Sequence, residues 1–259
     1  MKGILYYFSG TGNTKWVAKK FEEQFIRHGK ELELRSIERI ENLDLEGYDY
    51  LIIGTPVHSE LPPKIVVEFL NRLPEGNKNI KCMIYSTQGV NSAAAVDDMK
   101  RLLEKKGYEI IVQTSFRMAN SYYFGFGVER TPEEIAKFSK NAEEKVKRIA
   151  EEVFKNNKVI EKISYPRFLF GKLTGHGFNR LLPKLASKLS STEECNKCGL
   201  CLRNCPRGNI TIEDGRAFFH SNCIMCVRCI HLCPVNAIRY KGKKINQILK
   251  DRIKVLDLR

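Results

Sequence analysis

The chain has 259 residues, of which 42% are hydrophobic and 29% charged, with nine cysteines and a formal net charge of +14. The hydrophobic fraction is too high for a disordered chain, and at about 100–200 residues per domain the length allows one or two domains. No segment approaches the roughly 18 consecutive apolar residues of a membrane span, and the N-terminus lacks the features of a signal peptide. We therefore expect a cytoplasmic protein whose cysteines are reduced or bound to metal.

Cysteine and charge are concentrated in the last hundred residues. Eight of the nine cysteines lie between positions 195 and 233, and only Cys82 lies elsewhere. Residues 1–161 are nearly neutral, whereas residues 162–190 carry six basic and no acidic side chains, and residues 239–259 carry eight basic and two acidic. This distribution predicts a cysteine-poor domain followed by a metal-binding module with basic segments on both sides.

The first 155 residues alternate between short β-branched segments and amphipathic helical patterns. Strands are predicted at Gly3–Phe8, Glu31–Ile37, Asp49–Gly54, Asn79–Ser86 and Glu109–Thr114. Helices are predicted at Thr14–His28, Lys64–Leu73 and Ser92–Lys106, and after the capping box Thr131-Pro132-Glu133-Glu134. Five strands alternating with helices predict an α/β fold with a doubly wound parallel sheet, whose ligands bind beyond the carboxyl ends of the strands.

The loop after the first strand reads Ser9-Gly10-Thr11-Gly12-Asn13-Thr14. Its glycines let the backbone approach an anion, its polar side chains supply donors, and the helix that follows presents unpaired N–H groups. The loop is neither a Walker loop nor the dinucleotide fingerprint, whose third glycine would fall at Lys15. We interpret it as a site for a phosphate monoester, and the alternative is a tight turn that binds nothing.

On these residues the N-terminal part resembles flavodoxins, whose Ser/Thr-x-Thr-Gly-Asn-Thr loop holds the phosphate of flavin mononucleotide (FMN). The resemblance implies that the phosphate contacts come from Ser9, Gly10, Thr11, Gly12, Asn13 and Thr14. It also implies that the loops after the third and fourth strands, and a tyrosine beyond the fifth, face the isoalloxazine ring. The implied ring residues are Pro56, Val57, His58, Ser86, Thr87, Gln88, Gly89 and Tyr122.

The loop after the third strand departs from the flavodoxin pattern in two ways. His58 stands where flavodoxins usually place an aromatic ring, so it stacks on the flavin, lies near N5 of the flavin, or is an exposed loop residue. Residues 57–60 contain no glycine, although many flavodoxins reorient a glycine peptide here when the flavin gains one electron. Because side chains resist positive φ, we expect the flavin's two one-electron potentials to be less separated than in typical flavodoxins.

Both cysteine quartets have the spacing Cys-x2-Cys-x2-Cys-x3-Cys-Pro, the ligand run of cubane iron–sulfur clusters. Three closely spaced thiolates reach three irons of one cube, and in two-cluster ferredoxins the fourth ligates the other cluster. The predicted ligands are therefore Cys195, Cys198, Cys201 and Cys233 for cluster 1, and Cys223, Cys226, Cys229 and Cys205 for cluster 2. Zinc ribbons need only two Cys-x2-Cys pairs, and disulfides need an oxidising compartment. Cys82 is predicted to be a core residue.

Residues 191–240 resemble a bacterial two-cluster ferredoxin, with a hairpin predicted at Ile210–Ile212 and Ala217–Phe219. The whole chain resembles the flavodoxin–ferredoxin fusion proteins of anaerobes, which implies FMN and two [4Fe-4S] clusters as cofactors. It implies a flavodoxin-like five-stranded parallel sheet and a small α+β dicluster ferredoxin domain. The predicted segments are an FMN-binding domain at 1–155, a basic helical connector at 156–190, a ferredoxin domain at 191–245 and a basic tail at 246–259.

The connector contains a helical apolar pattern. It comprises Phe178, Leu181, Leu182, Leu185 and Leu189. Pro183 predicts that the helix begins just before it or is kinked. We favour an interdomain helix that packs its leucines against one or both domains, over an amphipathic segment for a membrane surface or an acidic partner. Nucleic-acid binding lacks any supporting motif.

Because clusters exchange single electrons while FMN takes one or two, the two cofactors together form an electron relay. We expect an electron carrier that serves a redox partner with an acidic docking surface in anaerobic metabolism, rather than a catalyst, and no catalytic motif is present. The alternatives are a flavin-dependent reductase of a small molecule fed by the clusters, and a redox-responsive interaction protein.

Overall fold

The computed structural model describes residues 1–40, 42–76, 79–90 and 93–258. These residues form two compact units. Unit 1 comprises Met1–Ser9, Asn13–Ala119 and Glu133–Gly175, and unit 2 comprises Gly10–Gly12, Asn120–Pro132 and His176–Arg259. Arg259, the last residue of the predicted tail, and Ser92, the first residue of a predicted helix, lie outside the described residues.

Unit 1 is built on a parallel sheet with the strand order β2-β1-β3-β4-β5-β6. The strands are β1 (Lys2–Tyr7), β2 (Glu31–Ser36), β3 (Tyr50–Pro56), β4 (Lys81–Gln88), β5 (Glu109–Arg117) and β6 (Val159–Ile160). The helices are α1 (Asn13–Arg27), α2 (Lys64–Arg72), α3 (Ala95–Lys105), α4 (Pro132–Phe154) and α5 (Tyr165–Ala186), with a 3-10 turn at Ile37–Arg39. The five predicted strands and four predicted helices are confirmed, and the fold is a flavodoxin-like doubly wound sheet. The sheet gains a sixth strand, β6, whose Val159 aligns with Val112 of β5.

One part of the core of unit 1 lies where the apolar sides of α1 and α4 meet the sheet. Phe21 of α1 is 1% exposed and contacts the rings of Tyr85 and Phe116 at centroid distances of 5.5 and 6.0 Å. Val146 of α4 belongs to the same buried cluster. Cys82 of β4 is fully buried, which confirms its predicted place in the core.

Helix α5 contains Pro183. It starts at Tyr165 and continues through the proline, so of the two alternatives predicted for Pro183 the helix start is excluded. Pro183 lies in the last turn, where its missing N–H removes a single intrahelical hydrogen bond. Of the apolar pattern, Phe178 is buried and Leu182 and Leu185 are partly buried, whereas Leu181 is exposed.

Unit 2 contains short strands, which pair in antiparallel fashion, and short helices. They are β7 (Leu189–Ser191), α6 (Leu200–Arg203), β8 (Ile210–Glu213), β9 (Arg216–Phe219), α7 (Arg228–Leu232), β10 (Ile238–Tyr240) and β11 (Lys243–Lys244), with a 3-10 turn at Arg252–Val255. Strands β11, β10 and β7 form one sheet, and β8 and β9 form the predicted hairpin. Asp214 and Gly215 both have positive φ, as an Asp-Gly hairpin turn requires. Within the part of the chain that the structure describes, no helix is long and apolar enough to cross a membrane.

We expect Phe21→Ala to lower the free energy of unfolding of unit 1 by about 3–5 kcal/mol, because it leaves a cavity among buried rings. Ile26 lies on the same helix with 64% of its surface exposed. Ile26→Ala should therefore change stability by no more than about 0.5 kcal/mol. Urea unfolding followed by circular dichroism measures both, and equal losses in the two variants would contradict this core.

Candidate functional site

Three loops begin at the carboxyl ends of adjacent parallel strands of unit 1, and these strand ends lie at one edge of the sheet. Strand β1 pairs with β3, and β3 pairs with β4 in a register that aligns Pro56 with Thr87. The N–H of Val57 donates to the carbonyl oxygen of Thr87 at 3.0 Å, which joins the loops after β3 and β4. From β1 the chain first adds β2 on one side and then β3 on the other side. The boundary between β1 and β3 is therefore the topological switch point, at which such folds bind ligands.

The loop after β1 has the properties of an anion site. Ser9, Thr11 and Thr14 are 1%, 4% and 1% exposed, so their hydroxyls are largely shielded from water. Gly12 has a φ of +99°, a conformation that a side chain would strain. Helix α1 begins at the next residue and carries no acidic side chain in its first turn, so its N–H groups and dipole favour a negative charge.

Hydrogen bonds within unit 1 fix the end of this loop. The hydroxyls of Thr14 and Thr87 lie 2.8 Å apart, and the Tyr85 hydroxyl donates to the carbonyl oxygen of Thr14 at 2.9 Å. The Asn13 side-chain amide donates to the carbonyl oxygen of Ala119 at 3.0 Å. Burial raises the pKa of Tyr85 well above its usual value, so this phenol stays a donor. Tyr85 was not predicted, because within a strand pattern its hydroxyl gives no signal.

The loop after β3 forms a tight turn at residues 58–61. His58 and Leu61 exchange two backbone hydrogen bonds, of 2.9 and 3.4 Å, around Ser59 and Glu60. Those two residues have φ of 44° and 84°. The structure thus differs from the expectation that side chains keep this loop out of the positive-φ region. His58 itself is half-buried.

The loop after β4 is held by its own side chains. Ser86, Thr87 and Gln88 are buried, and the Ser86 hydroxyl donates to Oε1 of Gln88 at 3.0 Å. Nε2 of Gln88 donates to the carbonyl oxygen of Val90 at 3.2 Å, while Gly89 between them is exposed. These bonds fix the side-chain orientation at the end of β4.

Tyr122 belongs to unit 2, whereas the other predicted ring residues belong to unit 1. Its hydroxyl is 2.7 Å from that of Tyr240, and the two rings are 5.8 Å apart. Burial and this hydrogen bond raise the pKa of Tyr122 above its usual value. The contact with Tyr240 was not visible in the sequence, since the two residues are 118 positions apart.

The eight clustered cysteines line two cavities in unit 2. One cavity is lined by Cys205, Cys223, Cys226 and Cys229. The other is lined by Cys195, Cys198, Cys201 and Cys233. In both cavities, three cysteines of one quartet meet the last cysteine of the other quartet. No three His, Cys, Asp or Glu side chains among the described residues are placed to hold a single metal ion.

The two cysteine runs have matching backbones. In each run the residues on either side of the second cysteine have positive φ: Lys197 and Gly199 in the first, Met225 and Val227 in the second. Turns of this kind direct successive N–H groups toward one point, as at other iron–sulfur sites.

The backbone also donates to the sulfurs at equivalent positions. The N–H of Asn209 lies 3.3 Å from Sγ of Cys205, and that of Ala237 lies 3.3 Å from Sγ of Cys233. Burial raises the pKa of Cys226 to about 12, so occupation of the cavity by a group that needs thiolates releases protons. Donors to sulfur and a shielded cavity suit thiolate-bound clusters.

Comparisons with known proteins match two separate parts of the chain, one with the anion loop and one with the cysteine runs. Residues 4–123 match the family model of a flavodoxin domain, and residues 194–237 match that of a 4Fe-4S dicluster domain. A flavodoxin of Megasphaera elsdenii is 28% identical over 109 residues, which are 41% of this chain and 80% of that protein.

Similar solved structures include three of different length. A flavodoxin from the domain Archaea has a TM-score of 0.43 and 15% identity, covering 60% of this chain and 99% of that one. The two-electron reduced Megasphaera elsdenii flavodoxin has a TM-score of 0.39 and 22% identity, covering 57% and 99%. Rubredoxin oxygen:oxidoreductase of Desulfovibrio gigas has a TM-score of 0.40 and 15% identity, covering 58% of this chain and 36% of that one.

The fold, the anion loop and the cysteine cavities define an electron-transfer protein. The chain joins a flavodoxin domain to a 4Fe-4S dicluster domain, and its cofactors are FMN and [4Fe-4S] clusters. The residues fit both groups, because the anion loop combines buried hydroxyls with a helix N-terminus free of acidic side chains, and each cavity is lined by four thiols.

We expect Thr14→Val to weaken FMN binding about tenfold, because it removes a hydroxyl from the anion loop and the bond to Thr87. Riboflavin, which lacks the phosphate, provides the control. Titrations of the apoprotein followed by flavin fluorescence should show unchanged riboflavin binding. A variant that loses both ligands equally would place Thr14 outside the phosphate site.

A pair of double variants tests which cysteines share a cluster. Cys205→Ser combined with Cys223→Ser should remove about half of the iron, because both changes fall on one cavity. Cys205→Ser combined with Cys195→Ser should remove nearly all of it. Iron analysis and electron paramagnetic resonance of the reduced proteins measure the outcome, and the reverse result would assign each quartet to its own cluster.

Proposed function

We propose that this protein relays electrons between two [4Fe-4S] clusters and FMN, and on to a partner protein, in the cytoplasm of an anaerobically growing cell. The observation that carries the proposal is the presence of two four-thiol cavities and one FMN loop in a single chain. Bound clusters supply one-electron steps and bound FMN supplies one- or two-electron steps.

The residue assignments follow from the two sites. Cluster 1 is held by Cys195, Cys198, Cys201 and Cys233, and cluster 2 by Cys223, Cys226, Cys229 and Cys205. The FMN phosphate is held by Ser9, Gly10, Thr11, Gly12, Asn13 and Thr14, and the isoalloxazine ring is contacted by Pro56, Val57, His58, Ser86, Thr87, Gln88, Gly89 and Tyr122. Each cavity is lined by three cysteines of one run and the last cysteine of the other, and this arrangement supports the cluster assignment. The hydrogen bonds among Thr14, Thr87 and Val57 support a shared FMN site.

The protein's own side chains prepare the FMN site before the cofactor enters. The buried hydroxyls of Ser9 and Thr14 replace water around the phosphate, and the N-terminus of α1 supplies positive potential without a full charge. The Ser86–Gln88 bond holds the amide of Gln88 in one orientation. These groups orient the flavin and bind it, and the cofactor carries the redox chemistry.

A partner with an acidic docking surface suits the basic segments. Residues 162–190 contain no acidic side chain, and residues 239–259 carry an excess of basic ones. Helix α5 adds exposed apolar surface at Tyr165, Phe170 and Leu173, which are 61%, 60% and 74% exposed. Exposed apolar side chains among basic ones are typical of a protein-docking surface, where charge speeds encounter and apolar contact adds affinity. We accordingly divide the chain into the FMN domain 1–155, the connector 156–190, the cluster domain 191–245 and the tail 246–259.

The relay is tested by following the flavin after the clusters are reduced. The protein is reconstituted anaerobically with iron, sulfide and FMN, and mixed with a reduced low-potential ferredoxin in a stopped-flow instrument. We expect flavin reduction at a rate that becomes independent of donor concentration at high donor, since internal transfer then limits it. The Cys205→Ser/Cys195→Ser protein, which should lose nearly all of its iron while its FMN loop is unchanged, should reduce its flavin at least about tenfold more slowly.

Two results would contradict the relay. Equal flavin reduction in the cluster-deficient variant would show that electrons bypass the clusters. Steady turnover of quinones or nitro compounds at a rate that matches flavin reduction would favour the alternative, a flavin-dependent reductase fed by the clusters.

A further inference from the structure

Glu60, in the turn after β3, joins three elements of unit 1. Both of its carboxylate oxygens accept from Nη2 of Arg167 on helix α5, at 2.8 and 2.7 Å. One of them also accepts from the N–H of Ala94 at 3.3 Å, just before α3. The two charged side chains are only 18% and 28% exposed, so water screens the ion pair weakly. One carboxylate therefore holds the β3 loop against both the β4 loop and the connector helix.

The turn that contains Glu60 needs such support. Ser59 and Glu60 both occupy the left-handed region, which is unfavourable for residues with a side chain. The backbone bonds between His58 and Leu61 close the turn. The side chain of Glu60, the second of these residues, is fixed by the ion pair to Arg167 and by the N–H of Ala94.

Two glycines of α5, one helical turn apart, let the helix approach both loops. A methyl group at Gly171 would lie 2.7 Å from Cβ of Ala94, and one at Gly175 would lie 2.5 Å from Cγ of Leu61 and 2.9 Å from the carbonyl oxygen of Ser59. Phe168, Leu61 and Ala94 complete a small buried apolar cluster beside the ion pair. The first half of α5 is thus packed closely against the loops that follow β3 and β4.

We propose that Glu60 and Arg167 are positioning residues, which lock the loop facing the isoalloxazine ring into one turn and so set the spacing between the flavin's two one-electron potentials. This inference rests on the proposed function, which places the isoalloxazine ring of FMN beside this loop. A loop that is free to reorient adapts its hydrogen bonds to the flavin's charge, whereas a locked loop presents the same groups in every state. The ion pair therefore narrows the spacing between the potentials.

The test compares Glu60→Gln and Arg167→Gln with Lys172→Gln. Lys172, on the same helix, forms an ion pair with Asp98 of α3 at 2.6 Å, and this pair does not involve the turn at 58–61. We expect each of the first two variants to raise the comproportionation constant of the bound flavin about tenfold, because a charge-assisted bond that restrains the loop is lost. Lys172→Gln should leave the constant within about twofold of the original. Spectroelectrochemical titration of the FMN-loaded full chain measures it.

A double variant and an exchange measurement identify the mechanism. The double variant Glu60→Gln/Arg167→Gln should have the same comproportionation constant as either single variant, because both changes remove the same interaction. Hydrogen exchange in the FMN-free protein should be faster at residues 57–61 in these variants and unchanged in Lys172→Gln.

The possible failures are distinguishable. A protein that retains FMN with an unchanged constant in Glu60→Gln overturns the inference and leaves the proposed function intact. An equal shift in Lys172→Gln also overturns it, since docking of α5 in general would then be responsible. An original chain that binds no FMN overturns the proposed function, and the inference falls with it.

Discussion

The proposed FMN site depends on the parallel pairing of β1, β3 and β4. Parallel pairing brings the carboxyl ends of the three strands to one edge, so that Thr14 and Thr87, 73 positions apart along the chain, become neighbours. The Thr14–Thr87 and Val57–Thr87 bonds then connect the three loops that follow. Thr87 is the common member of both bonds. The arrangement of the site is consequently a property of the sheet register, and each loop adds chemistry to a position that the strands have already determined.

The cysteine sites of unit 2 do not depend on strand pairing. They depend on a backbone conformation that occurs twice, once in each cysteine run. The two cysteine runs place positive φ at the same positions relative to their second cysteine, although one position holds Gly199 and its equivalent holds Val227. A β-branched residue in this conformation is uncommon, so the fold of the loop prevails over the preference of the residue. Val227 is buried in the apolar cluster of unit 2, and this packing offsets the unfavourable φ.

The sequence was most informative where function depends on neighbours along the chain. The anion loop and the two cysteine runs are local patterns, and the strand before the anion loop is marked by continuous apolar residues at positions 4–8. At Pro183 the sequence left two alternatives, a helix start or a kink, and could not choose between them, because a proline in the last turn of a longer helix removes only one hydrogen bond.

Other features could not be predicted because they depend on distant residues. Glu60 and Arg167 are 107 positions apart, and neither belongs to a motif. The positive φ of Ser59 contradicts its intrinsic preference. The turn that contains it is held by the backbone bonds between His58 and Leu61 and by the contacts of the Glu60 carboxylate. Strand β6 has two residues, too few to produce a periodic signal.

The burial of Cys82 has a practical consequence for handling this protein. Its thiol is fully shielded and its pKa is raised by burial, so it is a poor nucleophile while unit 1 is folded. Among the cluster cysteines, by contrast, Cys198 is exposed. Mass spectrometry after alkylation under native conditions would therefore report loss of cluster 1 through a label on Cys198, and a label on Cys82 would report unfolding of the flavodoxin sheet in the same sample.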